Sequence, residues 1–132
     1  MTPFLKDHAA ALYQRRHLAA FVPFVASATP QFQPADNDCH RNVDIWCKLH
    51  PDQTPVRGWL LFEVFQHFGF FRFTAHSVVR LPDGTLFDLT PSRASQRYPF
   101  LGDHLTEEEY VLLVSSQQIV HLDHPVTPRS SA

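Results

Sequence analysis

The sequence predicts one α+β domain in which N-terminal helices pack on an antiparallel β-sheet. Apolar residues recur at helical spacing up to about position 50. They then give way to two runs rich in aromatic and β-branched residues, 56–65 and 70–81, which are typical of strands. The turn signal Pro82-Asp83-Gly84 follows and predicts a hairpin. With 132 residues, 44% of them hydrophobic and twelve of them Phe, the chain can build one core over residues 1–132.

Charge and composition exclude several classes of protein. The net charge is −2 and the basic residues are scattered, so no phosphate-binding patch for nucleic acid is expected. Residues 1–20 do not resemble a signal peptide, and no apolar run is long enough to cross a bilayer. We therefore expect a cytoplasmic protein with no membrane partner, which leaves delivery to another cell open. Oligomeric state is not predicted.

The N-terminal third predicts two helices joined by a surface connection. Thr2-Pro3 can start a first helix that runs to about Ala20. Prolines then interrupt regular structure, and the stretch Ser27 to Asp38 is polar and rich in turn residues. Three good capping residues, 36–38, precede a buried helix from Cys39 to about Leu49.

The hairpin around Gly84 sets the register of two polar residues. With a three-residue loop, Leu81 faces Thr85, so position 78 faces Asp88 on the returning strand, 85–89. His76 and Asp88 then become diagonal neighbours on one face, about 7–8 Å apart between backbones. A two-residue loop would send them to opposite faces.

The C-terminal third predicts fewer regular elements. Residues 92–103 are expected to be irregular, and the capping box Thr106 to Glu109 predicts a structural helix. A last short strand is expected at 118–122, and 124–132 should be a flexible tail. The catalytic core is expected within about 31–103, with a groove between the 27–38 loop and the 92–103 segment.

Three residues from separate segments have the chemistry of a thiol-based active site. Cys39 starts a helix, where the helix dipole favours thiolate. His76 can form an ion pair with it and act as base, and Asp88 can orient the imidazole. Asp38 would oppose ionisation of the thiol if it pointed inward, so we expect its side chain to cap the helix. This set predicts acyl transfer through a Cys39 thioester.

An acyl-transfer site also needs hydrogen-bond donors for an oxyanion and a surface for the substrate. The backbone N–H of Cys39 is one donor, and the side-chain amide of Gln33, six residues upstream, is the candidate for the other, with Gln31 as its competitor. Trp59 begins an aromatic stretch that should be mostly core, but an aromatic residue beside the site can line an apolar groove. We therefore assign Trp59, with Gln33, to substrate binding.

The order Cys39, His76, Asp88 on a helix start and two adjacent strands resembles the papain-like superfamily. Among its members, the carboxylate as third residue and the small size are more similar to transglutaminase-like and small NlpC/P60-type cysteine enzymes. The runs Arg57-Gly58-Trp59 and Ala75-His76-Ser77-Val78 also look like a group of uncharacterised bacterial proteins. The resemblance implies a peptidase, amidase, deamidase or transglutaminase-like enzyme. Its substrate would be a protein, a peptide or an amide-containing small molecule, and no cofactor would be needed.

Rival interpretations remain open at this point. Cys39, Cys47 and His50, with His40, could bind zinc, although the spacing is unlike that of structural zinc sites and no metal is our first prediction. The fold could also carry a catalytically inactive interaction module. Cys47 lies about 80° round the helix from Cys39, so it is predicted to pack rather than react.

Overall fold

The predicted α+β architecture is present in the computed structural model, which describes residues 3–116 and 120–128. In chain order the elements are α1 (Pro3–Gln14), α2 (Cys39–Leu49), β1 (Thr54–Phe62), β2 (Phe70–Arg80), β3 (Leu86–Phe87), α3 (Arg93–Arg97), β4 (Phe100–Gly102), α4 (Glu107–Ser116) and β5 (His121–Pro125). Two 3₁₀ turns, Arg16–Leu18 and Glu63–Phe68, also occur. Among the described residues, no helix combines the length and hydrophobicity needed to cross a bilayer.

The sheet is antiparallel, in the order β3-β2-β1-β4, and β5 also pairs with β2. β1 pairs along β2 from Thr54↔Arg80 to Phe62↔Arg72. Because β1 occupies one edge of β2, both β5 and β3 must pair with its other edge. β5 pairs with residues 70–74 and β3 with residues 79 and 80. Within the described residues, neither strand pairs with residues 76–78. This unpaired stretch is a break in the edge of β2.

The hairpin has the three-residue loop that the sequence predicts. The N–H of Leu81 donates to the carbonyl of Thr85 at 2.8 Å, and Val79 lies opposite Phe87. Gly84 has φ of +91°, which a residue with a side chain rarely adopts. The capping box is also confirmed, because Thr106 and Glu109 each accept the other's backbone N–H, at 3.1 and 3.0 Å.

The first helix is shorter than predicted. Its buried residues, Leu5, His8, Ala9 and Leu12, follow helical spacing. The next positions on that face are Arg15 and Arg16, whose charges cannot be buried there. The helix therefore ends at Gln14 rather than near Ala20.

The first strand is also shorter than predicted, because it ends at Phe62 and not at Phe65. The apolar residues that follow form a 3₁₀ turn closed by Gly69, which has φ of +91°. Val64 and Phe68 in this turn are exposed. The β-forming residue types indicated a strand, but the chain must reverse here to start β2.

The expectation of irregular structure over 92–103 is wrong. Ser92 caps α3 by accepting the N–H of Ser95, and β4 pairs with β1 through Leu60↔Phe100 to Gly58↔Gly102. Both elements are too short to produce a periodic pattern.

The last strand is described at 121–125, and positions 118 and 119 of the predicted strand lie outside the described residues. The N–H of Val126 donates to Gly69, so this part of the expected tail is held to the sheet. The final predicted tail residues, 129–132, are outside the described part of the chain.

Three buried clusters hold the helices to the sheet. α1 and α4 pack with β1 and β2 around Trp59 and Phe73, and α2 packs through Val43 against Val79. A third cluster contains residues 22, 60, 78 and 100.

Candidate active site

The thiol of Cys39 lies at the first residue of α2, as the sequence predicts. The preceding segment is fixed by the N–H of Asn37, which donates to the Pro91 carbonyl at 3.2 Å. Asn37 has φ of +57°, a left-handed conformation that asparagine tolerates. The first N–H groups of a helix have no partner within the helix and carry partial positive charge. Cys39 is therefore held where a thiolate is favoured, and it is 8% exposed.

The imidazole of His76 lies at the break in the edge of β2. The start of α2 contacts the same stretch, because His40 Nδ1 lies 2.6 Å from Ser77 Oγ. The imidazoles of His76 and His40 both lie close enough to the thiol of Cys39 to lower its pKa. Helix start and strand thus meet at this break.

Asp88 holds the far side of the same imidazole. His76 Nε2 lies 2.5 Å from Asp88 Oδ2, and both residues are buried, with exposed fractions of 4% and 2%. This leaves Nδ1 of His76 for the sulfur. The other Asp88 oxygen accepts the N–H of Thr90 at 3.0 Å. The three residues predicted from the sequence are therefore brought together, with the imidazole between the thiol and the carboxylate.

The surroundings of the thiol and the imidazole shift both pKa values toward the ionised pair. Burial opposes ionisation of Cys39 most strongly, but hydrogen bonds and charges from His40 and His76 outweigh it and lower the pKa of Cys39 to about 6. Burial likewise disfavours charged His76, but bonds to Asp88 and Cys39 raise the pKa of His76 to about 9. Between these values the thiolate and the imidazolium coexist.

Two residues expected near the thiol have other roles. Asp38 occupies the N-cap position of α2, but its side chain makes no capping hydrogen bond, so that expectation is wrong. The exposed Gln33 donates its amide to the Thr29 carbonyl at 2.7 Å within the loop. The structure therefore gives Gln33 a local partner instead of bringing its amide to Cys39.

Trp59 is fully buried, which corrects its assignment to substrate binding. Its exposed fraction is 0%, its indole N–H donates to Asp103 Oδ2 at 2.7 Å, and its ring packs on Tyr110. By strand alternation, Trp59 belongs to the core face of β1. The general expectation that these aromatics form core is the correct one.

The residues of the zinc alternative do not form a metal-binding group among the described residues. Cys47 is half-buried and packs beside Val43 and Val79, and burial raises its pKa. His50 stacks on Trp46 with 3.9 Å between ring centroids. Within residues 3–116 and 120–128, no group of three or more His, Cys, Asp or Glu side chains could hold a metal ion.

The sequence did not predict the role of His40, which it included only as a possible zinc ligand. In the structure its Nδ1 lies 2.6 Å from the hydroxyl of Ser77, and its ring lowers the pKa of the Cys39 thiol. The available signal was the dipeptide Cys39-His40 at a helix start, since a side chain one residue on can turn toward its neighbour there.

A cavity of about 520 Å³ lies between the two segments expected to form a groove. Asp36 and Asn37 line it from the loop before α2, and Ser92 and Arg93 line it from the segment after Pro91. Phe24 adds an exposed aromatic ring. This cavity is adjacent in sequence to both Cys39 and Asp88.

Comparison of the chain with family models, curated proteins and solved structures gave no match. The resemblance to papain-like enzymes therefore stays a prediction. The proposed function rests on the geometry of Cys39, His76 and Asp88.

Proposed function

We propose that this chain is a thiol-dependent acyl-transfer enzyme, with Cys39 as nucleophile, His76 as proton carrier and Asp88 as the residue that orients His76. One observation carries the proposal: the buried His76–Asp88 bond of 2.5 Å presents the free ring nitrogen to a thiol at a helix start. The helix start favours thiolate, and the carboxylate favours imidazolium. The papain-like order of these residues supports the same reaction class.

The first half of the reaction forms a thioester. The thiolate of Cys39 bonds to the carbonyl carbon of an amide, and the carbonyl electrons move to oxygen. His76 gives its proton to the leaving amine as the carbon–nitrogen bond breaks. Backbone N–H groups at the start of α2, including that of Cys39, are suited to donate to the oxyanion.

The second half of the reaction releases the acyl group. Water or an amine attacks the thioester carbon while His76, now neutral, removes a proton from it. The carbon–sulfur bond breaks and Cys39 leaves as thiolate, which restores the ion pair. With water the enzyme is a peptidase, amidase or deamidase, and with an amine it is a transferase of the transglutaminase-like kind.

The cavity beside the start of α2 is our candidate for the substrate site. Its lining combines the carboxylate of Asp36, the guanidinium of Arg93 and the ring of Phe24. Such a lining fits a protein, a peptide or a small amide, with polar groups and an apolar part.

Labelling with electrophilic probes tests the proposal. We expect broad thiol-directed acylating probes to modify the protein at one site, and Cys39→Ala to abolish that labelling. Cys47→Ala is the matched control, because it removes the other cysteine and should leave labelling intact. His76→Ala should slow labelling, since the imidazolium partner is lost.

Two outcomes would contradict the proposal that this chain is an enzyme. Labelling that is equal in wild type and Cys39→Ala would place the reactive group elsewhere. A Cys39 thiol no more reactive than that of Cys47 would instead indicate a papain-like interaction module without catalytic activity.

A further inference from the structure

We propose that His40 is a second imidazole of the reacting centre, a fixed N–H donor to the Cys39 sulfur that takes no part in proton transfer. This inference deepens the proposed function and rests on its thiol chemistry. The starting observation is that His40 Nδ1 lies 2.6 Å from Ser77 Oγ, while the same ring is close enough to the thiol of the preceding residue to lower its pKa.

The Ser77 hydroxyl is oriented by a buried guanidinium. Arg57 donates to Ser77 Oγ through Nη1 at 3.0 Å, and both side chains are buried. Arg57 is held in turn by Glu107, at 2.7 to 3.1 Å, and by Asp44. These two carboxylates balance its charge, and together they fix the guanidinium against Ser77.

This chain of donors assigns the tautomer of His40. A guanidinium can only donate, so Ser77 Oγ accepts from Arg57. The hydroxyl has one hydrogen, and besides Arg57 the partner that it contacts is His40 Nδ1, to which we assign that hydrogen. When Nδ1 accepts, the neutral ring carries its hydrogen on Nε2. The His40 Nε2–H is then the group available to the sulfur of Cys39.

The position of the His40 ring is also restricted by its packing. The Tyr110 ring packs edge-on against it, with 5.9 Å between centroids, and the Tyr110 hydroxyl donates to the carbonyl of Gly58 at 2.7 Å. The titratable groups beside His40 are therefore Cys39 and Tyr110, and the charged Arg57 is joined to it through the Ser77 hydroxyl. Among the described residues, no carboxylate forms a hydrogen bond with His40.

The two imidazoles therefore have different functions. His76 is bound to a carboxylate, which stabilises the imidazolium and supplies a proton for the leaving group. His40 is bound to the Ser77 hydroxyl instead of a carboxylate, so its role is to give a hydrogen bond to the sulfur. One consequence is that His40 should stabilise the thiolate even when His76 cannot ionise.

Substitution of His40 by two different amides tests this role. In glutamine the amide nitrogen reaches the position of Nε2, whereas in asparagine it reaches only that of Nδ1, beside Ser77. We expect His40→Gln to keep a reactive thiolate. We expect His40→Asn to lower the alkylation rate by iodoacetamide about tenfold at a pH near the wild-type thiol pKa. Both variants are made with Cys47→Ala, so that Cys39 is the only thiol.

Ser77→Ala tests the positioning part of the proposal. Loss of the hydroxyl leaves Nδ1 without its donor, so the ring can take either tautomer. We expect a smaller fall in alkylation rate than in His40→Asn and an unchanged ionisation of His76. Thermal unfolding of each variant separates these effects from loss of structure, because a variant that is folded but less reactive has lost the donor alone.

The outcomes distinguish this inference from the enzyme proposal. Equal alkylation rates in His40→Gln and His40→Asn would overturn the donor role, whether or not substrates are found. If the alkylation rates of His40→Gln and His40→Asn differ clearly but the protein turns over no acyl substrate, the donor role of His40 is supported and the proposed enzymatic function is contradicted. No substrate is needed for the alkylation measurement.

Discussion

At the scale of single residues, the site depends on the ionisation of two groups that are both buried. Burial alone would keep Cys39 and His76 neutral. Asp88 stabilises the charged imidazole, and the imidazoles stabilise the thiolate, so the pKa order of the two groups is inverted. The reactive state is therefore the ion pair, which exists over a limited range of pH.

This inversion predicts a bell-shaped dependence of activity on pH. Thiolate forms as pH rises through about 6, which is the pKa of Cys39. The imidazolium is lost as pH rises through about 9, which is the pKa of His76. We expect kcat/KM to rise across the lower value and fall across the upper one. The measurement is initial rate against pH with the probe or substrate that labels Cys39.

The variant Asp88→Asn tests what sets the upper pH limit of activity. The amide removes the negative charge beside His76, so the imidazolium loses its main support and the pKa of His76 falls. The descending part of the profile should move to lower pH, and kcat/KM should fall by up to about 10⁴-fold. An unchanged descending limb would mean that His76 does not set it.

Sequence predicted the residues that a helix start or a hairpin positions, and it missed those positioned by an irregular loop or by strand pairing. His76 and Asp88 are joined by one hairpin, so loop length alone determines that they meet. The partner of Gln33 is chosen by the path of an irregular loop, which no periodic pattern describes. The role of His40 depends on Arg57 and Ser77, which the chain brings together only when β1 pairs with β2.

At the scale of elements, the start of α2 must be aligned with the end of the hairpin. Asn42, which is 2% exposed, makes this connection. Its side chain accepts the N–H of Ala35 at 3.0 Å and donates to the Ala35 carbonyl at 2.8 Å. It also donates to Thr90 Oγ1 at 3.1 Å, two residues after Asp88. One side chain thus joins the loop before Cys39 to the segment that carries Asp88.

Asn42→Ala should therefore affect both stability and the site. Three hydrogen bonds are lost and the buried hydroxyl of Thr90 is left without its donor, so we expect the free energy of unfolding to fall by roughly 2–3 kcal/mol. The alkylation rate of Cys39 should fall in the folded variant, because Asp88 is less firmly held. Urea unfolding and iodoacetamide labelling measure the two effects.

A second asparagine in the same region provides the control. Asn37 is exposed and has φ of +57°, a conformation that glycine adopts easily. Asn37→Gly should change the free energy of unfolding by less than about 0.5 kcal/mol. If Asn42→Ala also changed the free energy of unfolding by so little, the hydrogen bonds of Asn42 would not stabilise the fold.

Turn chemistry and the bounds of α2 were readable at this scale, whereas the ends of α1 and β1 and the short elements were not. The spacing in α2 and the turn at Gly84 predicted bounds that the structure reproduces within a residue. β4 has three residues, and it is a strand because β1 offers it an edge. Its existence is therefore a tertiary effect.

At the scale of the whole molecule, the site and the core share one sheet. β4 joins the edge of β1 and carries Phe100, whose ring lies edge-on to the imidazole of His76 with 6.2 Å between centroids. The close approach of β4 requires Gly58, the direct partner of His76 on β1. Core packing and the burial of the imidazole therefore depend on the same strand contact.

Two paired glycines test this dependence, because only one of them is crowded. A Cβ at Gly58 would lie 2.7 Å from Phe100 Cζ and 2.9 Å from the Cα of Gly102, and would overlap the Leu101 carbonyl. A Cβ at Gly102 would meet Val56 Cγ1 at 3.8 Å, which is ordinary contact. We expect Gly58→Ala to lower the free energy of unfolding by about 3 kcal/mol and Gly102→Ala to change it by less than about 1 kcal/mol.

The same pair of variants shows whether the strand contact also maintains the site. In Gly58→Ala, β4 must move outward with Phe100, so the imidazole of His76 becomes less buried and the alkylation rate of Cys39 should change along with the urea midpoint. In Gly102→Ala both should stay at wild-type values. A Gly58→Ala protein with lowered stability and unchanged alkylation would show that the site is independent of β4, and one with unchanged stability would show that the two strands can separate at little cost.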